Sequence, residues 1–172
     1  RKKAVCSFCD TDFNGVNGIN GGKYKLDDLV KIINSLWPKR KKNKFVVFTG
    51  GEPILQLDIN LIKKIKSQGF RVAVETNGTL PLPKEIDWVC VSPKIKSKLI
   101  VKKGNEIKVV FPQKNIALLE YEKLNFKHFY IQPLENKDVV LNTKKPHGVK
   151  PPTKERIVFH MGIHDVEFEK LK

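Results

Sequence analysis

Cys6 and Cys9, in the segment Cys6-Ser7-Phe8-Cys9, are the first residues of this chain whose type and spacing suggest chemistry. Two thiolates at this spacing can share one metal centre, form a redox disulfide, or supply half of a zinc site. No second pair of this kind follows. The histidines (His128, His147, His160, His164) fall late in the chain, without zinc-finger spacing. Thioredoxin-type chemistry expects a strand before the pair and a helix opening at it, whereas Asp10-Thr11-Asp12-Phe13 and a Gly/Asn-rich loop follow here. An iron–sulfur site needs at least one further thiolate. Cys90 lies in an apolar run and reads as a small buried residue, so a third ligand is expected from outside this sequence.

A second constellation is spread along the chain. Thr49-Gly50-Gly51-Glu52-Pro53, Glu75-Thr76-Asn77-Gly78-Thr79, Ser92-Pro93-Lys94, Pro112-Gln113 and Gln132-Pro133-Leu134-Glu135 each follow a short apolar run. Taken singly, each is a turn or a strand end, because Gly, Asn and Pro punctuate strands. Taken together, polar groups at the carboxyl ends of successive parallel strands share one rim, where α/β folds place their sites.

The elements that must position these groups can be read from apolar periodicity. Leu26, Leu29, Val30, Ile33 and Trp37 have helical spacing, and Pro38 stops that helix. Lys39 to Lys44 is a solvated basic connector. Asp58 can cap a helix to about Gln68, with Ile59, Ile62 and Ile65 as its buried stripe and Gly69 as its stop. Strands are predicted at Phe45 to Phe48, Phe70 to Val74, Trp88 to Val91, Ile107 to Phe111 and Phe129 to Gln132, with a helix over Asn115 to Lys123. Pro93 to Asn105 reads as turn-like. Alternating strands and helices imply right-handed βαβ units and a mostly parallel sheet. Beyond Lys137 the pattern decays, and only Arg156 to Met161 is strand-like.

With 172 residues the chain has room for one domain with a core. Hydrophobic residues at 40% and charged residues at 30% describe an ordinary globular protein, with no run long enough to span a membrane. Three cysteines and no signal-peptide pattern point to a cytoplasmic setting. The net charge of +15 raises the question of nucleic acid, but of the 33 basic residues only Arg1, Arg40, Arg71 and Arg156 are arginines. Lysine is a flexible point charge rather than a bidentate reader of bases, so specific nucleic-acid binding is not expected.

Cys6-Ser7-Phe8-Cys9-Asp10-Thr11-Asp12-Phe13, Phe48 to Pro53, Glu75 to Thr79, Trp88 to Lys94 and Tyr130-Ile131-Gln132-Pro133 occur in that order. Together they resemble the 7-carboxy-7-deazaguanine synthase family of radical S-adenosylmethionine enzymes, over Arg1 to about Thr143. The resemblance implies an α/β fold: a partial (βα)6-type radical SAM barrel, mostly parallel, lacking its first strand and carrying an atypical C-terminal tail. Residues 1–143 would form the core and 144–172 the tail, which does not match the family.

The usual CxxxCxxC motif would put a cysteine at Lys2. The chain instead resembles the branch with a longer spacer, whose first ligand would lie before Arg1. An N-terminally truncated chain, or a frameshifted gene fragment, is the corresponding expectation.

By the same resemblance, Cys6 and Cys9 would bind a 4Fe–4S cluster and Thr11 a Mg²⁺ ion. Gly50, Gly51, Glu52, Ser92, Pro93, Lys94, Gln132, Pro133, Leu134 and Glu135 would hold S-adenosylmethionine, with Glu52 suited to its ammonium. Thr49 would touch the pterin substrate, and Phe8 would shield the cluster or simply pack. No side chain is assigned the radical step, which belongs to the cofactors. The implied reaction converts 6-carboxy-5,6,7,8-tetrahydropterin to 7-carboxy-7-deazaguanine with loss of ammonia, in the queuosine and 7-deazapurine pathway. The implied partners are a flavodoxin-like electron donor and a second copy in a homodimer, with no membrane. A glycyl-radical activase is the alternative within the superfamily, and a basic nucleic-acid-binding module the alternative outside it.

Overall fold

A computed structural model describes residues 22–40 and 42–133 in full, together with the backbone of the strands Ile157–Met161 and Val166–Lys170. Helix α1, Leu26–Leu36, turns Leu29, Val30 and Ile33 inward. Trp37 is also buried but lies outside the helix with extended backbone, as a residue before proline must. Strand β1, Phe45–Gly50, follows the basic connector. Helix α2, Ile59–Ser67, opens with the Leu61 N–H donating to the Asp58 carboxylate at 2.8 Å, and Gly69 leaves it at φ +83°. Its buried stripe is Leu61, Ile62 and Ile65, while Ile59 is 39% exposed, contrary to expectation. A three-residue step falls about 60° short of a full turn, so Ile59 rotates off the face that Ile62 and Ile65 share.

Strands β2 (Arg71–Thr76), β3 (Trp88–Val91) and β4 (Lys103–Phe111), helix α3 (Leu118–Glu122) and strand β5 (Asn125–Pro133) complete the ordered run. Strand β4 begins four residues earlier than its apolar pattern suggests, and β5 likewise. Their polar starts pair with one another, Lys103 with Asn125 and Glu106 with His128, and the Asn105 side chain accepts the Val89 N–H at 2.8 Å. Helix α3 is shorter than predicted because Asn115 sits at φ +65°, outside helical space.

The ladders between β1 and β2, β2 and β3, β3 and β4, and β4 and β5 are all parallel. Strand β6, Ile157–Met161, runs parallel along the other side of β1, and β7, Val166–Lys170, pairs antiparallel with β6. The full order is β5-β4-β3-β2-β1-β6-β7. The β1 edge is therefore covered by β6.

The core lies on one face of the sheet. Leu29, Ile33, Phe48, Ile62, Ile65, Val72 and Val74 form its larger part, and Val91, Ile107 and Val109 a second part that meets the first at Val89. Strand alternation sends the intervening residues to the opposite face. There Glu75 is in register with Cys90, Cys90 with Glu106, and Glu106 with His128.

Candidate active site

Because β1 to β5 are parallel, their carboxyl ends converge on one rim, and all five polar segments begin there. Gly50 ends β1 at φ +115°, a conformation that a side chain would resist. Gly51 follows, and Pro53 opens a short 3-10 turn, Pro53–Leu55.

Glu52 is only 8% exposed. Its Oε1 accepts from the Thr76 hydroxyl at 2.6 Å and from the Ile54 N–H at 3.2 Å, and its Oε2 accepts from the Asn77 N–H at 2.8 Å. A carboxylate offers about four acceptor positions, so most of its capacity is taken by this chain's own donors. The ammonium role expected of Glu52 is left with what remains.

The loop after β2 is held just as firmly. Asn77 closes an Asx turn, accepting from the Thr79 N–H at 2.9 Å and the Thr79 hydroxyl at 2.6 Å. Gly78, at φ +74°, accepts from the Ile100 and Val101 N–H groups through its carbonyl. A Cβ on Gly78 would lie 2.7 Å from Leu99 Cδ1 and 2.8 Å from Val91 Cγ1. After β3, the Ser92 N–H donates to the Thr76 carbonyl at 2.8 Å. Pro93 is buried, and the Lys94 ammonium donates to the Ser92 hydroxyl at 2.9 Å.

Thr49 stands on the other face of β1. Its hydroxyl donates to Glu75 Oε2 at 3.3 Å, and the Lys108 ammonium lies 3.8 Å from the same oxygen. Glu75, Thr76 and Lys108 are the residues that sequence reasoning left unassigned here. Lys108 had a signal, a charge inside the apolar run Ile107 to Val110. The pairing of Glu75 with it had none, since it depends on sheet register. Farther along this face Trp88 stacks on His128, with ring centroids 6.2 Å apart, and His128 on Tyr130 at 6.1 Å.

Cys90 is 1% exposed. Burial pushes its thiol far above the usual range, and the neighbouring Glu106 charge adds to the effect. It stays a neutral thiol on the polar face of the sheet, unsuited to metal ligation.

Gln132 and Pro133 end β5, exposed, in register with Val110 and Phe111. Cys6, Phe8, Cys9, Thr11, Leu134 and Glu135 lie outside the described residues. The groups gathered along the rim are compatible with a zwitterionic amino-acid group: a buried carboxylate with about one acceptor position left, a lysine held by its neighbour, and a glycine corner at positive φ.

The sequence pattern of the Radical SAM superfamily matches residues 3–90. The 7-carboxy-7-deazaguanine synthase of Burkholderia multivorans is 54% identical over 145 residues, covering 84% of this chain and 69% of that protein. That of Bordetella pertussis is 48% identical over 136 residues, covering 78% and 65%. The crystal structure of QueE from Escherichia coli superposes with a TM-score of 0.51 at 25% identity, over 67% of this chain and 55% of that one. The chain thus spans about two thirds of these curated relatives, 69% and 65% of their lengths. Identity of 54% across 84% of the chain goes well beyond a shared fold, and the chain belongs to the 7-carboxy-7-deazaguanine synthase family of the radical S-adenosylmethionine superfamily.

Proposed function

We propose that the protein makes 7-carboxy-7-deazaguanine from 6-carboxy-5,6,7,8-tetrahydropterin, releasing ammonia, as a step toward queuosine and other 7-deazapurines. The observation that carries this reading is the rim itself. The loops after β1, β2 and β3 are tied into one cradle by Glu52, Thr76 and Ser92. A 4Fe–4S cluster and S-adenosylmethionine held at this rim would supply the one-electron chemistry of hydrogen abstraction.

The chain's own residues position and shield. Cys6 and Cys9 would hold the cluster. Gly50 and Gly51 let backbone groups approach the methionyl end, and Glu52, largely satisfied by the chain, fixes the corner they form. Ser92, Pro93 and Lys94 would line the S-adenosylmethionine site beside it, together with Gln132 and Pro133 at the end of β5 and, by the family resemblance, Leu134 and Glu135. Thr49 would touch the pterin, with Glu75 beside it held by Lys108. Thr11 would ligate a Mg²⁺ that otherwise takes substrate and water oxygens, as that ion prefers. The overall conversion is redox-neutral: carbon is conserved, and one nitrogen leaves as ammonia.

A flavodoxin-like reductant, a homodimer and a cytoplasmic setting belong to the same reading. So does a core over residues 1–143 followed by a distinct tail, 144–172, although β6 and β7 from that tail join the same sheet. Among the described residues no helix is long and apolar enough to cross a membrane. The deciding experiment is anaerobic turnover of the cluster-reconstituted protein with the pterin, S-adenosylmethionine, reductant and Mg²⁺. Formation of 7-carboxy-7-deazaguanine with one ammonia per product supports the proposal. Cleavage of S-adenosylmethionine with a glycyl-radical partner, and none with the pterin, would overturn it.

A further inference from the structure

Three loops meet at the side chain and carbonyl of a single residue, and that residue is none of those expected to touch a ligand. Thr76 is 3% exposed at the end of β2. Its hydroxyl donates to Glu52 Oε1 at 2.6 Å, accepts the Gly78 N–H at 3.1 Å, and its carbonyl accepts the Ser92 N–H at 2.8 Å. A threonine hydroxyl has one hydrogen to give, and here it goes to a buried carboxylate, the charge-assisted kind of bond. One of its two lone pairs accepts from Gly78. The rotor is therefore fixed from both sides. Through Glu52 it sets the corner at Gly50 and Gly51, through Gly78 the Asx turn after β2, and through its carbonyl the start of Ser92-Pro93-Lys94.

We propose that Thr76 is a positioning residue for cofactor binding: it holds the loops after β1, β2 and β3 in the arrangement that accepts S-adenosylmethionine, without touching the cofactor itself. This inference rests on the assignment of those loops to S-adenosylmethionine. A site assembled from backbone groups of separate loops loses affinity when their spacing relaxes by a fraction of an ångström. Valine at this position keeps the shape but removes the hydroxyl, leaving Glu52 Oε1 and the Gly78 N–H without their partner. The carbonyl bond to Ser92 survives, so the loss should be partial.

The test uses the protein with its cluster reconstituted and reduced, titrated with S-adenosylmethionine while the cluster's EPR spectrum is followed. Thr76→Val should raise the half-saturating concentration about tenfold, and Thr76→Ser should restore it to within about twofold. Thr76→Val that merely melts earlier, with unchanged half-saturation, overturns the inference, as does failure of Thr76→Ser to restore binding. A second measurement needs no variant. In the cofactor-free wild type, the Asn77, Gly78 and Ser92 amides should already be protected from hydrogen exchange. Free exchange there until cofactor is added overturns the inference even if Thr76→Val does not fold. Wild-type protein whose spectrum never responds to S-adenosylmethionine fails differently: it overturns the assignment of the rim, and this inference with it.

Discussion

Gly78 shows how little latitude single residues have at this rim. Its φ of +74° disfavours any side chain, and an added Cβ would sit 2.7 Å from Leu99 Cδ1 and 2.8 Å from Val91 Cγ1. Gly78→Ala is expected to lose about 2 kcal/mol of stability from overpacking and backbone strain, read as a shift in urea midpoint. At Thr49 the expected outcome is kinetic. Thr49→Val removes the donor to Glu75 at 3.3 Å, so KM for the pterin should rise several-fold while S-adenosylmethionine binding holds steady. Both loops were legible in the sequence, because glycine, asparagine and proline announce turns. Thr76 was not, because a threonine ending a strand has the same local signature whether it faces solvent or ties three loops. Only the parallel register brings Glu52, Thr76 and Ser92 together.

Helix α2 and strands β2 and β3 are joined by an ion pair outside the site. The Lys66 ammonium lies 2.6 Å from Asp87 Oδ1, and Asp87 Oδ2 accepts the Val72 N–H at 2.8 Å. Burial acts to raise the Asp87 carboxyl, but the Lys66 hydrogen bond and the Val72 N–H outweigh it, holding the group below its ordinary 3.8. A lowered carboxylate contributes stability that is complete above that ordinary value and lost as pH falls through the folded one. Asp87→Asn should therefore destabilise the protein by about 1–2 kcal/mol at neutral pH, with a smaller gap at low pH, as urea melts across pH would record. The elements themselves were mostly visible. Apolar runs and caps marked α1, α2, β1, β2 and β3, whereas the early turns of β4 and β5 hid behind polar residues that only pairing justifies.

At the scale of the whole molecule, one face of the sheet carries the helices and core, and the other carries charge and aromatic rings around a polar row. The strand order explains how a run of local βα units becomes one rim. That rule was readable from alternation alone. Sequence pattern did not show that the late strand-like run would lie against β1, because its partner is more than a hundred positions away. Cutting the chain before Ile157 would bare the β1 edge. Such a protein is expected to self-associate, seen as faster-sedimenting species in analytical ultracentrifugation. The net charge of +15, carried mostly by lysine, then reads as a solvated surface.

Cys90, sealed at 1% exposure with its thiol kept neutral, is a spectator among the three cysteines. That makes it a built-in clock. An alkylating reagent applied to the native protein can reach it only when the sheet opens, so its slow labelling would time global opening events.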